Sequence, residues 1–336
     1  GINSECWDLL PIEINGQKSL LIAGNNAVYQ LWDNGKLDVI VSCMPWVFHK
    51  TKADHNTIFI GLDDGLMMLI FRDNFWQVQN KVAGISEAIY KISEPKDDLL
   101  LLGTLENGII KLQMERSKTL GSFRFTINKM NSNQNLPKGG AFSVSFGSNV
   151  VYATTNGIYT YDDKEKVFQE NLQYKNALGA AQFVVHRLTE DQNHRLWMIA
   201  YQGDEYYIGY FKETDGVITW HDRIFAPIAN EIFHTIYTGD QNKVWMGGPK
   251  GLYKINIREN YDPTIVDHKI LIRKVFLNKD SLYYEGNEKT LNYGDESVTQ
   301  QAILRIPYSS NSISFNYASQ YQKYASLNLY SHKLQG

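Results

Sequence analysis

Apolar residues along this chain fall in short runs, broken at regular intervals by clusters of Asn, Asp and Gly. The stretch Gly239 to Ile257, GDQNKVWMGGPKGLYKINI, shows the unit: a polar turn, a strand ending in Trp245 and Met246, a Gly-bounded reversal, and a returning strand. Asp240, Gln241 and Asn242 supply the turn, because Asx side chains bond their own backbone and tolerate left-handed conformations. Leu252, Lys254 and Asn256 alternate with Tyr253, Ile255 and Ile257, the period of two expected of a strand. One such hairpin cannot bury its own apolar faces. What matters is whether it recurs.

It recurs along most of the chain. Asp191-Gln192-Asn193-His194-Arg195-Leu196-Trp197-Met198 restates Asp240 to Met246 with one extra residue before the Trp. Taking Gly24, Gly61, Gly103, Ala153, Ala200 and Gly247 as equivalent points, the intervals are 37, 42, 50, 47 and 47 residues. Roughly 40 to 50 residues is the length of a four-stranded propeller blade. Six blades are legible. The fourth is the clearest, with strands expected at Ala141 to Phe146, Val150 to Thr154, Gly157 to Tyr161 and Val167 to Glu170. The sixth offers only three, at Ile232 to Thr238, Val244 to Gly247 and Gly251 to Ile257.

Trp197 and Trp245, at the ends of second strands, are expected to sit between neighbouring blades, where burying a ring is worth roughly 2 to 3 kcal/mol. The connections Lys129 to Gly140 and Gln202 to Tyr206 read as irregular loops, the places where a rigid ring carries its binding residues. After Ile257 the repeat stops. Strands of a different character are expected at Lys269 to Asn278, Ile303 to Pro307, Ser312 to Tyr317 and Leu329 to Leu334. The fold class is therefore all-β: a β-propeller over residues 1–262, then part of a β-sandwich over residues 263–336.

A length of 336 residues with 43% apolar content suffices for such a core. The net charge of -3, from 33 basic and 36 acidic residues interspersed along the chain, offers no field for gripping nucleic acid or an anionic membrane. Cys6 and Cys43 are too few for a disulfide framework and lack metal-ligand spacing. No apolar run approaches the roughly 18 residues of a membrane span. The opening Gly1 to Ser4 has no signal-peptide pattern, and the chain reads as a piece of a longer protein.

The repeat Asp-x-x-(Asn/Gly)-x-apolar-Trp-apolar-Gly-x-x-x-Gly-Leu-Tyr at Asp240 to Tyr253, weaker at Asp191 to Ala200 and Lys96 to Ile109, resembles the regulator-propeller repeat of bacterial two-component sensors. The tail Leu304 to Phe315, LRIPYSSNSISF, resembles the opening of the YYY domain, the sandwich that follows those propellers. Tyr330-Ser331-His332-Lys333-Leu334-Gln335-Gly336 is similar to its Tyr-x-Tyr-x-Leu-x-Gly strand, with His332 in place of an aromatic. The resemblance implies the periplasmic sensor region of a hybrid two-component protein of Bacteroidetes, on the outer side of the inner membrane, detecting a glycan fragment. It further implies rings of seven blades, this being the second ring of the whole protein, a homodimer through the YYY domain, and a downstream membrane helix leading to a histidine kinase and DNA-binding module. No cofactor and no direct nucleic-acid contact are implied for this part.

Candidate ligand contacts come from two places. Asp204 and Glu205, flanked by Tyr201, Tyr206 and Tyr207, could stack a sugar ring and bond its hydroxyls. Trp46 and His49 open the inner strand of the second blade, and His186 and His234 hold comparable places in the fifth and sixth, so all four are candidates for lining the axial channel. No residue is assigned a catalytic or metal-binding role. A propeller glycoside hydrolase or lyase would need two carboxyls about 5 to 10 Å apart across a sugar, and the inner strands offer almost none. A plain protein-interaction propeller is the other alternative, marked by a large apolar rim patch.

Overall fold

The computed structural model describes residues 2, 5–14, 16–52, 54–116, 123–179, 182–228, 231–240, 242–257, 270–278, 281–285, 312–319 and 333. Contacts divide the chain into two compact units, Gly1–Phe225 with Ala229–Asn260, and Ala226–Ile228 with Tyr261–Gly336.

The first unit holds six antiparallel blades, each a meander in chain order. Blade one is Cys6–Ile14, Gln17–Gly24, Val28–Trp32 and Leu37–Val41, and blade two is Pro45–Lys50, Thr57–Leu62, Gly65–Arg72 and Phe75–Val78. Blade three is Ile89–Lys96, Leu99–Thr104, Asn107–Arg116 and Phe123–Met130; blade four is Gly139–Phe146, Asn149–Thr154, Gly157–Asp162 and Val167–Glu170. Blade five is Val184–Glu190, Arg195–Gln202, Glu205–Thr214 and Val217–His221, and blade six has the three strands Thr235–Asp240, Lys243–Gly248 and Gly251–Asn256. The six blades match the sequence reading, and among the described residues the last has three strands.

The second strand of each of the first five blades is buried on both faces over most of its length. In Thr57–Leu62 every residue is buried, with Ile58, Ile60 and Leu62 turned toward blade one and Phe59 toward blade three. Such a strand reads as a continuous apolar run, not an alternation. The outermost strand Phe75–Val78 is exposed or half-buried along its length. Four apolar cores formed this way separate the first five blades.

Two of the repeated small residues, Gly61 and Gly103, mark where the next inner strand passes. A Cβ on Gly61 would lie 2.4 Å from the Ile89 carbonyl oxygen, and one on Gly103 would lie 2.6 Å from Phe142 Cβ. Both clashes fall on the inner strand of the following blade. Blades three and four approach so closely here that Thr104 pairs with Ala141.

Each inner strand packs on the next along the series. Sheets pack about 10 Å apart, so a straight stack would place blades one and five about 40 Å from each other. Instead Asp8 of blade one and Arg187 of blade five interact electrostatically, so the blades curl about a common axis. This is a propeller.

Two connections are more ordered than the sequence suggested. Lys129 to Gly140 contains the 3-10 turn Ser132–Gln134, closed by a reciprocal cap between Asn131 and Gln134 and anchored by buried Leu136. Gln202 to Tyr206 is no irregular loop: Glu205 pairs with Gln202 across a two-residue reversal at Gly203 and Asp204. A short helix, Leu172–Leu178, joins blades four and five, capped by Asn171 and ended by Gly179 at φ 72°. It lacks the length for a helical period to register, and buried Tyr174 ties it to the core, edge-on to Phe211 at 4.9 Å, with Ala177 and Leu178 packed against the same core.

In the second unit Ile270–Leu277 lies between Ser281–Glu285 and Ile313–Ser319 in a three-stranded antiparallel sheet. The strands expected at Ile303 to Pro307 and Leu329 to Leu334 lie outside the described residues, residue 333 aside.

Candidate functional site

The inner strands of four blades break register at one level. In blade one Cys6 pairs with Gly24 and Asp8 with Ala23, leaving Trp7 as an extra residue. The same step leaves Trp46 between Pro45 and Val47, Tyr90 between Ile89 and Lys91, and His186 between Val185 and Arg187. A bulge of this kind bends its strand and re-aims the side chains at the step. An aromatic ring therefore stands at each bulge, followed in three of them by a charged residue, Asp8, Lys91 or Arg187.

These charges come together on the axis. Asp8, Lys91 and Arg187 interact pairwise, and Tyr90 acts on Arg187. Yet they make no direct ion pair with one another. The Asp8 carboxylate accepts hydrogen bonds from the backbone amides of Leu9 at 2.9 Å and Phe48 at 2.8 Å. Arg187 donates from Nη1 to the His186 carbonyl at 2.9 Å. Lys91, among the described residues, has neither a hydrogen bond nor an ion pair. It is half-buried, while protein surrounds it at longer range.

Burial governs the ionisation of the cluster. It raises the Asp8 carboxyl above its ordinary range, against the two amide bonds and both cations. Burial, then the Arg187 charge, lowers the Lys91 ammonium, with Asp8 acting the other way. The Tyr90 phenol is raised by burial.

Of the residues singled out in the sequence, three meet at this level. Trp46 packs on Trp7 with centroids 4.6 Å apart and planes tilted by 40°. His186 lies edge-on to His234 at 6.1 Å, and its Nε2 is buried without a hydrogen-bond partner among the described residues. Burial, then the charges of Arg187 and His234, pushes the His186 pKa down to about 4, so the ring is neutral at pH 7.

His49 lies elsewhere, in regular pairing with Phe59. Its Nε2 is 2.9 Å from Oε2 of buried Glu94, which also accepts from Thr51 Oγ1 at 2.9 Å and the Lys52 amide at 2.8 Å. Burial would raise the Glu94 carboxyl, but these donors outweigh it and hold it below its usual range; burial likewise lowers His49. The two shifts fit one state, a neutral imidazole donating to an ionised carboxylate. His49 thus ties blade two to blade three.

The tyrosine hairpin forms a separate patch. Tyr201 and Tyr206 face each other across the strand pair with centroids 6.5 Å apart, and both are exposed. Tyr207 Oη donates to Glu205 Oε2 at 3.0 Å or Gln202 Oε1 at 3.2 Å. Asp204 sits in the reversal itself. Among the described residues no His, Cys, Asp or Glu side chains gather as a metal site.

Trp7, Asp8, Tyr90, Lys91 and Arg187 were missed in the sequence. The signal was present: an aromatic followed by a charged residue recurs at Trp7-Asp8 and Tyr90-Lys91, with His186-Arg187 at the matching place in blade five. Without knowing the bulges, nothing directs both members of each pair to the axis.

No protein-family model matches the chain, and no curated protein does. Solved structures do. A crystal structure of the extracellular domain of a hybrid two-component system from B. thetaiotaomicron aligns at 16% identity with a TM-score of 0.57, covering 77% of this chain and 32% of that one. A second, described as the extracellular domain of a one-component system of the same organism, aligns at 17% identity and a TM-score of 0.55, covering 75% and 32%. The chain spans about a third of the length of these structures. It shares their fold, as the resemblance in sequence implied.

Proposed function

We propose that this chain is the ligand-sensing part of a hybrid two-component sensor, held on the periplasmic side of the inner membrane, and that it binds a saccharide without transforming it. The observation that carries this reading is the ring of aromatic side chains at the inner-strand bulges, Trp7, Trp46, Tyr90 and His186, presented on a scaffold shared with sensor domains. Flat rings stack on sugar faces while a few polar groups fix orientation. His234 and the hairpin tyrosines Tyr201, Tyr206 and Tyr207 with Asp204 and Glu205 add contacts for a longer chain of sugars. Asp8 and Glu94, two carboxylates of the inner strands, are both held by donors from the protein, which favours binding over hydrolysis.

In the whole protein the module beginning at residue 263 would relay occupancy by changing how two copies pair. That coupling needs only about 1 to 3 kcal/mol. A kinase and DNA-binding module further along the chain would turn it into altered transcription. Calorimetric titration of the purified chain with neutral and acidic oligosaccharides, with product analysis of the same mixtures, tests the reading. Binding without new products is expected. Turnover abolished by Asp204→Asn would replace the sensor with a glycoside hydrolase or lyase.

A further inference from the structure

We propose that the axial channel selects a saccharide bearing a negative group, a uronate carboxylate or a sulfate ester, received between Lys91 and Arg187. This rests on the sensor reading and names the class of ligand.

The argument is one of unused donors. An ammonium has three N–H groups and a guanidinium five. Among the described residues the Lys91 ammonium uses none on the protein and the Arg187 guanidinium one, on the His186 carbonyl. Among the described residues the carboxylate acting on both is Asp8, each of whose oxygens already accepts from an amide, that of Leu9 or Phe48. Two cations facing one carboxylate leave a net positive charge in a partly dehydrated channel.

Cations left this way are costly unless a counter-charge visits, because enclosure strengthens their mutual repulsion. Carboxylates and sulfates match the guanidinium fork in two parallel hydrogen bonds, and the ammonium supplies a further donor. The tilted pair of Trp7 and Trp46, and Tyr90, which lies edge-on to Phe142, stand at the same level, where the sugar carrying that group would lie. A neutral sugar offers hydroxyl acceptors to the same donors but no counter-charge, so it forgoes the stronger charge-assisted bonds. The acidic ligand is therefore preferred.

The test is titration calorimetry of the whole chain with four probes of similar length: tetragalacturonate, a sulfated chondroitin tetrasaccharide, and the neutral β-1,4-galactotetraose and cellotetraose. Expected is binding of one or both acidic probes, weakened by raising sodium chloride from about 0.05 to 0.5 M, and weakened at least about tenfold by Lys91→Met or Arg187→Met. Uronate and sulfate arms tell which source supplies the charge. Unchanged thermal unfolding of the variants shows that the loss is local. Should a variant fail to fold, the salt dependence of the unaltered chain decides: acidic binding indifferent to salt overturns the proposal. Neutral probes bound as tightly as acidic ones, with both variants unaffected, overturn it while the sensor reading stands. Failure of all four probes overturns both.

Discussion

The carboxylate of Asp191 accepts a hydrogen bond from the indole Nε1 of Trp197 at 2.7 Å, six residues along the same hairpin. The same Oδ2 takes Arg195 Nε at 2.6 Å, and Oδ1 takes the backbone amides of Asn193 and Arg195 at 2.8 and 3.0 Å. The Asp and Trp of the repeat are therefore one device. The acid shapes the turn and fixes the ring, and the fully buried ring packs edge-on against Phe225 at 5.9 Å.

Removing the acid strands a buried guanidinium and an indole N–H. Asp191→Ala is expected to cost about 3 to 5 kcal/mol, and Trp197→Ala a similar amount through the cavity it leaves. Urea unfolding followed by fluorescence measures both. The two losses should not add, because they share one network.

The same carboxylate makes stability depend on pH. Burial acts to raise the Asp191 pKa, but bonds from Trp197 and Arg195 outweigh it and hold it below the ordinary value of 3.8. A depressed acid contributes stability that is present above its unfolded pKa and lost as pH falls through the folded one. Midpoints of urea unfolding should therefore drop below about pH 4. Asp191→Asn should flatten that limb.

His186 has the opposite chemistry with the same sign. Its folded pKa, about 4, lies below the ordinary 6.5, so the unfolded chain takes up a proton first as pH falls. Stability should decline from about pH 6.5 downward and level off near pH 4. His186→Phe should reduce the slope between those limits, as read from unfolding midpoints at half-unit steps.

Close approach at Gly103 leaves no room for a methyl group. Gly103→Ala is expected to destabilise by about 1 to 3 kcal/mol, by forcing blade four away from blade three. Differential scanning calorimetry checks it. An unchanged midpoint would mean that the inner strand yields freely.

Trp7 is 45% exposed and rests on Trp46, so its removal should separate binding from folding. Trp7→Ala is expected to weaken saccharide binding about three- to tenfold, as for loss of one aromatic pairing. The unfolding midpoint should scarcely move.

Much of the propeller was legible because its signals are local. A strand shows in a period of two, a hairpin in its Asn and Gly, and a blade in the spacing of Gly24, Gly61 and Gly103. All depend on residues within a few tens of positions. Trp197 and Trp245 show where this stops, since both end a second strand in matching sequence, yet Trp197 is buried while Trp245 is half-buried under the Lys254 ammonium at 5.1 Å. Trp197 is covered from outside its own hairpin by Phe225 of the connection that follows, and no motif inside the hairpin records that cover.

The axial site is the stronger case. Period and composition determined that six sheets form and which strand of each lies innermost. The curl of those sheets about an axis decided that Asp8, Lys91 and Arg187, far apart in the chain, share one channel. The bulges decided which side chains stand at the step in each inner strand. A slip of one residue reverses every face of a strand, and it is set by how neighbouring blades lean on one another, so it belongs to tertiary packing and leaves no mark in the local pattern.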